Sequence, residues 1–195
     1  MPVTINGDGT ITGLSVGGLP DGTVDADTLA AGAASGSKLT MPAGSVIQVQ
    51  GGIENGQEQK LADQFTDGPE VAIQASSASN KILIMGTISI GEGSGGDVHV
   101  FLYKDGSALS GAIGQAIGGA TRSTSGLSCG RSAWDTQTTP VFYMETAGDT
   151  SSHTYKIVAM ATNTSIALNR QQNGNQNMDN DNSHISYITA MEVKG

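Results

Sequence analysis

From residue 45 onward the apolar positions of this chain fall into short runs separated by turn residues, and the runs read as strands. They cover residues 46–50, 71–75, 81–90, 98–103, 107–110, 139–145, 153–161 and 165–169, with a closing strand at 184–193. A polar loop is expected over 51–68 and turns over 76–80 and at Asp105-Gly106. The run 81–90 is apolar on both faces at its start, which predicts a buried central strand. In the closing strand Ile185, Tyr187, Met191 and Val193 share one face, and Ser186, Ile188, Ala190 and Glu192 share the other. A strand so apolar is expected inside a sheet, with neighbours on both edges.

Residues 1–42 follow a different rule. Val3, Ile5, Ile11, Leu14, Val16, Leu19, Val24 and Leu29 are set singly among Gly, Pro, Asp and Thr, too sparsely to build a core. Asn6-Gly7 and Asp8-Gly9 are tight-turn pairs, so 5–13 reads as a short hairpin-like element. One reading of the whole stretch is a disordered arm; the preferred one is an extended arm whose spaced hydrophobes enter another subunit. The chain then divides into an arm, 1–42, and a β domain, 43–195.

Composition supports an all-β domain. Gly is frequent at 28 residues, and charged residues reach only 14%, about half the usual share. The net charge of -9 argues against electrostatic binding of nucleic acid or an anionic membrane surface. Cys129 is the only cysteine, which excludes an intramolecular disulfide and a cysteine-rich zinc site. The longest aliphatic run, 82–85, is far too short to span a membrane, and the first residues carry no signal-peptide pattern. A soluble product of a cytoplasm is expected.

Catalytic chemistry is hard to assemble from these residues. Gly91 to Gly96 satisfies G-x-G-x-x-G, but a strand follows where a dinucleotide site needs a helix N-terminus, so a hairpin loop is expected. Cys129 with His99, His153 or His184 lacks an activated-nucleophile signature. Asp179 and Asp181 lie in a loop dense in Asn, 173–182, which reads as hydrated; calcium and glycan contact are the sharper alternatives. Arg122, Arg131 and Trp134 fall in a Ser/Thr/Gly-rich insertion at 118–138, where Trp134 reads as a packing residue ahead of a sugar-stacking platform. The expectation is no enzyme, no cofactor and no metal.

The first 29 residues, from Met1-Pro-Val-Thr-Ile-Asn-Gly to Asp27-Thr-Leu29, resemble the N-terminus of virion structural proteins of tailed phages, particularly those of cyanobacteria. Tyr103-Lys-Asp-Gly106 and Ser186-Tyr-Ile-Thr-Ala-Met-Glu-Val193 look like the trimeric jelly rolls of phage fibres and decoration proteins, similar to the complement/tumour-necrosis-factor architecture. The resemblance implies a virion component. It implies a homotrimer with Ile185, Tyr187, Ile188, Met191 and Val193 in its core and trimer strand. The arm residues named above would dock on the major capsid protein or on tail and baseplate proteins. A capsid decoration or cement protein is the preferred expectation, and the alternative is a tail fibre or receptor-binding protein that contacts a host surface glycan. A carbohydrate-binding module is the alternative from another class.

Overall fold

The computed structural model describes residues 4–5, 7, 11–12, 41–92, 96–128, 135–171 and 183–195. The chain divides into two compact units, Met1–Met41 and Pro42–Gly195. In the first, β1 (Thr4–Ile5) and β2 (Ile11–Thr12) pair antiparallel with Ile5 opposite Ile11. Val3, Leu14, Val16, Leu19, Val24 and Leu29 lie outside the described residues.

The second unit is all-β. Its strands are β3 (Val46–Glu54), β4 (Gln59–Lys60), β5 (Phe65–Gln74), β6 (Lys81–Glu92), β7 (Asp97–Lys104), β8 (Ser107–Ala108), β9 (Ser125–Ser128), β10 (Thr136–Thr146), β11 (Ser152–Thr162), β12 (Ile166–Leu168) and β13 (Ser186–Val193). Two antiparallel sheets contain them. In the first, β13 lies between β3 and β6, β10 holds the other edge of β6, β12 pairs with the last residues of β6, and β4 pairs with β12. In the second, β11 lies between β5 and β7, and β7 also pairs with β8 and β9. The pairs β3–β13, β5–β11, β6–β10 and β7–β9 are nested, outermost strands with outermost. That is the winding of a jelly roll.

The core fills the space between the sheets. Ile82, Ile84, Ile88 and Ile90 of β6 face Val98, Val100 and Leu102 of β7 and Tyr155, Ile157, Ala159 and Ala161 of β11 in one buried cluster. β6 is the central strand its two-sided apolar start predicts, and β13 has neighbours on both edges as expected. Tyr155 ties the layers with a polar contact. It is fully buried, and its hydroxyl donates 2.6 Å to Glu145 Oε1 on β10, which also takes Lys104 Nζ at 2.7 Å.

The expected polar loop 51–68 is shorter than its composition implies. β3 runs on to Glu54, β4 occupies Gln59–Lys60 and β5 begins at Phe65. Gly51-Gly52 hid the continuation of β3, because glycine normally weakens a strand. Here a glycine is required: a Cβ on Gly52 would collide with the Glu70 carbonyl of β5 in the other sheet. The same atom on Gly51 would meet only Ile188 O, at an ordinary 3.9 Å. β9 also escaped the sequence pattern, since Ser125-Gly-Leu-Ser128 carries one apolar side chain.

Gly52→Ala is therefore expected to destabilise the domain by about 3 kcal/mol or more, and neighbouring Gly51→Ala by less than about 1 kcal/mol. Urea denaturation of the two variants beside the parent measures the contrast; equal effects would show that the inter-sheet contact is not limiting.

Candidate interaction surface

The alternation of β13 decides what its sheet shows to solvent. Ile188 and Ala190 are buried, and so are the polar Ser186 and Glu192 beside them. Ile185, Tyr187, Met191 and Val193 consequently turn outward, with Ile185 and Tyr187 exposed. Ile188 is thus the core residue of the five expected to act together, and the other four belong to the opposite face. Across the ladders Tyr187 lies opposite Ile53 of β3 and Thr87 of β6, and Met191 opposite Val49 and Leu83. β10 adds Phe142 opposite Met85 and Met144 opposite Leu83.

The outward face of β3–β13–β6–β10 is therefore a continuous apolar field. Phe142 and Ile53 each keep 68% of their surface exposed, Met144 55% and Val49 53%. Four strands at about 4.8 Å spacing make it roughly 14 Å wide. A soluble monomer rarely leaves so much contiguous apolar surface in water. Toward the Ser183 end the field borders an open cleft of about 600 Å³ lined by Thr87, Ser89, Thr138, His184 and Tyr187.

The inward face of β13 is held by polar contacts from distant parts of the chain. Ser186 Oγ donates to Asn169 Oδ1 at 2.6 Å and accepts from Ser89 N. Asn169 has a left-handed backbone, φ 56°, and its amide donates to the Glu54 and Gly56 carbonyls. At the other end Glu192 accepts from Gln48 Nε2, Ser76 N, Ser76 Oγ and Asn80 Nδ2 at 2.6–2.7 Å. Burial pushes the Glu192 carboxyl upward, but these hydrogen bonds outweigh it and hold the group at about 2.

The second sheet presents a different outer face. Phe65, Phe101 and Tyr103 cluster edge to face, with ring centroids 5.8–6.3 Å apart. Beside them Lys156 Nζ lies 3.1 Å from Asp67 Oδ2 and 3.0 Å from Glu70 Oε2. The hydrogen bond to Glu70 raises the Lys156 pKa, opposed by partial burial and aided by Asp67.

The three candidate histidines stand on separate parts of the domain. His99 lies on β7, His184 precedes β13, and His153 sits at the start of β11 between Asp105 Oδ2 at 2.6 Å and Asp149 Oδ1 at 3.1 Å. The Asp105 hydrogen bond raises the His153 pKa. Arg122 donates to the Gly114 carbonyl. Cys129, Arg131, Trp134, the loop 173–182 with Asp179 and Asp181, and residues 93–95 of the glycine motif lie outside the described residues. Among the described residues no three His, Cys, Asp or Glu side chains group as metal ligands, and no helix is long and apolar enough to cross a membrane.

No protein-family model matches the chain, and no curated protein matches it. Among solved structures, a chain in the structure of infectious bursal disease virus, Gx strain, aligns at 14% identity with a TM-score of 0.36. The alignment covers 77% of this chain and 37% of that one.

The depressed Glu192 pKa fixes a pH window. Its contribution, on the order of 3 kcal/mol, is complete above the ordinary value of 4.5 and is lost as pH falls from there through about 2. Glu192→Gln points an amide at four donors. It is expected to lower stability at pH 7 by about 2–3 kcal/mol and to flatten the acid limb in melts from pH 5 to 2. An unchanged acid limb would move the acid sensitivity to another carboxylate.

Proposed function

We propose that this chain is a non-enzymatic structural component of a tailed-phage virion, a homotrimer that acts as a capsid decoration or cement protein. The observation that carries this reading is the apolar field on the outer face of β3–β13–β6–β10, which needs a protein cover. A second copy supplies a cover of the same chemistry, and a closed ring of three copies leaves none of it in water. Each protomer brings Phe142, Tyr187 and Met144, the large flat side chains that dominate stable interfaces.

The arm, residues 1–42, attaches the trimer to the major capsid protein. Its hydrophobes are spaced singly, and each one buried in a neighbour's groove contributes about 1.5–3 kcal/mol. Three arms on one trimer gain further through effective concentration. Fully extended, an arm of this length reaches up to roughly 130 Å, enough to cross between adjacent subunits.

Phe142→Glu in the full chain is expected to give a folded protein of one-third the parent mass, with self-association weakened about 100-fold or more. Sedimentation equilibrium and circular dichroism read the two properties. A parent that sediments as a monomer at micromolar concentration would refute the trimer. Deleting residues 2–30 is expected to leave a folded trimer that no longer joins virions, with particles that lose heat resistance yet still adsorb to cells. Normal shell stability with lost adsorption would place the protein on the tail.

A further inference from the structure

We propose that the outer face of the second sheet holds a binding site for a neutral saccharide, built on Tyr103, Lys156 and the carboxylate pair Asp67 and Glu70. This site is on the other sheet from the apolar field and stands or falls independently of the virion reading.

The backbone is shaped to make it. Asp67 and Glu70 are three residues apart, so in a regular strand their side chains would point to opposite faces. β5 instead carries a bulge: Asp67 pairs with Val158 and Glu70 with Lys156, leaving Gly68 and Pro69 opposite Ile157 alone. Gly68 and Pro69 are both buried, while Asp67 and Glu70 both face out. A Cβ on Gly68 would meet Ile157 O and Ile88 Cδ1 at 2.8 Å, so the bulge is tied to a glycine. Bulges commonly re-aim side chains at functional sites. Here the extra residue brings two carboxylates to one ammonium. Exposed ion pairs add little stability, and folding alone gives no reason for the arrangement.

The groups converge on a cavity of about 280 Å³ lined by Asp67, Glu70, Tyr103, Gly106, Thr154 and Lys156. That is at the small end of ligand pockets, the size for a single sugar ring. Lys156 engages Asp67 Oδ2 and Glu70 Oε2, which leaves Asp67 Oδ1 and Glu70 Oε1 to accept hydroxyl protons and one ammonium hydrogen to donate. Ring hydroxyls each offer one donor and two acceptor lone pairs to such a set. Tyr103 forms the apolar wall against which the C–H face of a pyranose stacks. Its ring is held by contacts with Phe65 and Phe101, so little side-chain freedom is lost on binding. Gly106, in a left-handed turn with φ 80°, leaves the rim open beside it. Two carboxylates against one ammonium make the site net negative, which selects neutral sugars over sialylated or sulphated ones.

Saturation-transfer NMR on the full chain tests this with the methyl glycosides of glucose, galactose and mannose and with N-acetylglucosamine, and titration calorimetry with calcium chloride separately tests the carboxylates for a cation. At least one of these sugars is expected to receive saturation on its ring C–H protons, with a Kd on the order of 1 mM. Glu70→Gln, with an unchanged melting temperature, and Tyr103→Ala, with its β-sheet circular dichroism retained, are each expected to weaken that Kd at least tenfold, while Ser152→Ala, outside the cavity, leaves it unchanged. Absence of saturation with all four sugars overturns the proposal, as does undiminished binding in both folded variants. Calcium binding at Asp67 and Glu70 without any sugar signal overturns it too, in favour of a cation site.

Discussion

The fold hangs on one buried carboxylate. Glu192 is the penultimate residue of β13 and fully buried, and four neutral donors take the place of solvent. Those donors come from β3, from the end of β5 and from the turn before β6. Gln48 is 144 residues away in sequence and also reaches the Gln74 carbonyl. Asn80 extends the network, its carbonyl taking Ala147 N after β10 and its side chain taking Gly195 N. A charge buried without partners is severely unfavourable. Both sheets must therefore be assembled around Glu192 before it can be accommodated, and the first and last strands close the domain together.

That constraint also dictates the surface. A strand has two faces, and a one-residue shift exchanges them. With Glu192 and Ser186 committed to partners inside, Ile188 and Ala190 must be inside as well, and the apolar series Ile185, Tyr187, Met191 and Val193 has no place but outside. The polar network thus costs the monomer its best apolar face and leaves it exposed.

This is where reading the sequence reached its limit. Alternation identified β6 and β13, their central positions and the two residue sets of β13, because long apolar strands announce themselves without tertiary information. It could not say which set was buried. Ile185, Tyr187, Met191 and Val193 are the more apolar set, and only the distant partners Gln48, Ser76 and Asn80 reverse the choice. The same blindness hid the extension of β3, where Gly51 and Gly52 look alike and only the approach of β5 separates them. Asp67 was lost inside a supposed loop, and Glu70 fell between that loop and the strand expected from residue 71. The Gly68-Pro69 pair between them was the available signal for a bulge.

The two outer faces differ because their strands satisfy different demands. On the first sheet the outward rows from Val49–Met191–Leu83–Met144 to Ile53–Tyr187–Thr87 are apolar or small, so this part of the face would recognise by area and shape and gain from being sealed. On the second sheet the row Glu70–Lys156–Tyr103 places charge beside an aromatic ring, and its neighbour Asp67–Val158–Phe101 repeats the pattern with Val158 buried beneath. Sealing those charges under a second copy would strip their water without supplying partners. The second face is therefore the one that stays in solvent when the first is covered. A sandwich only two layers thick can separate assembly from recognition in this way, because the core between the layers keeps each face from borrowing residues of the other.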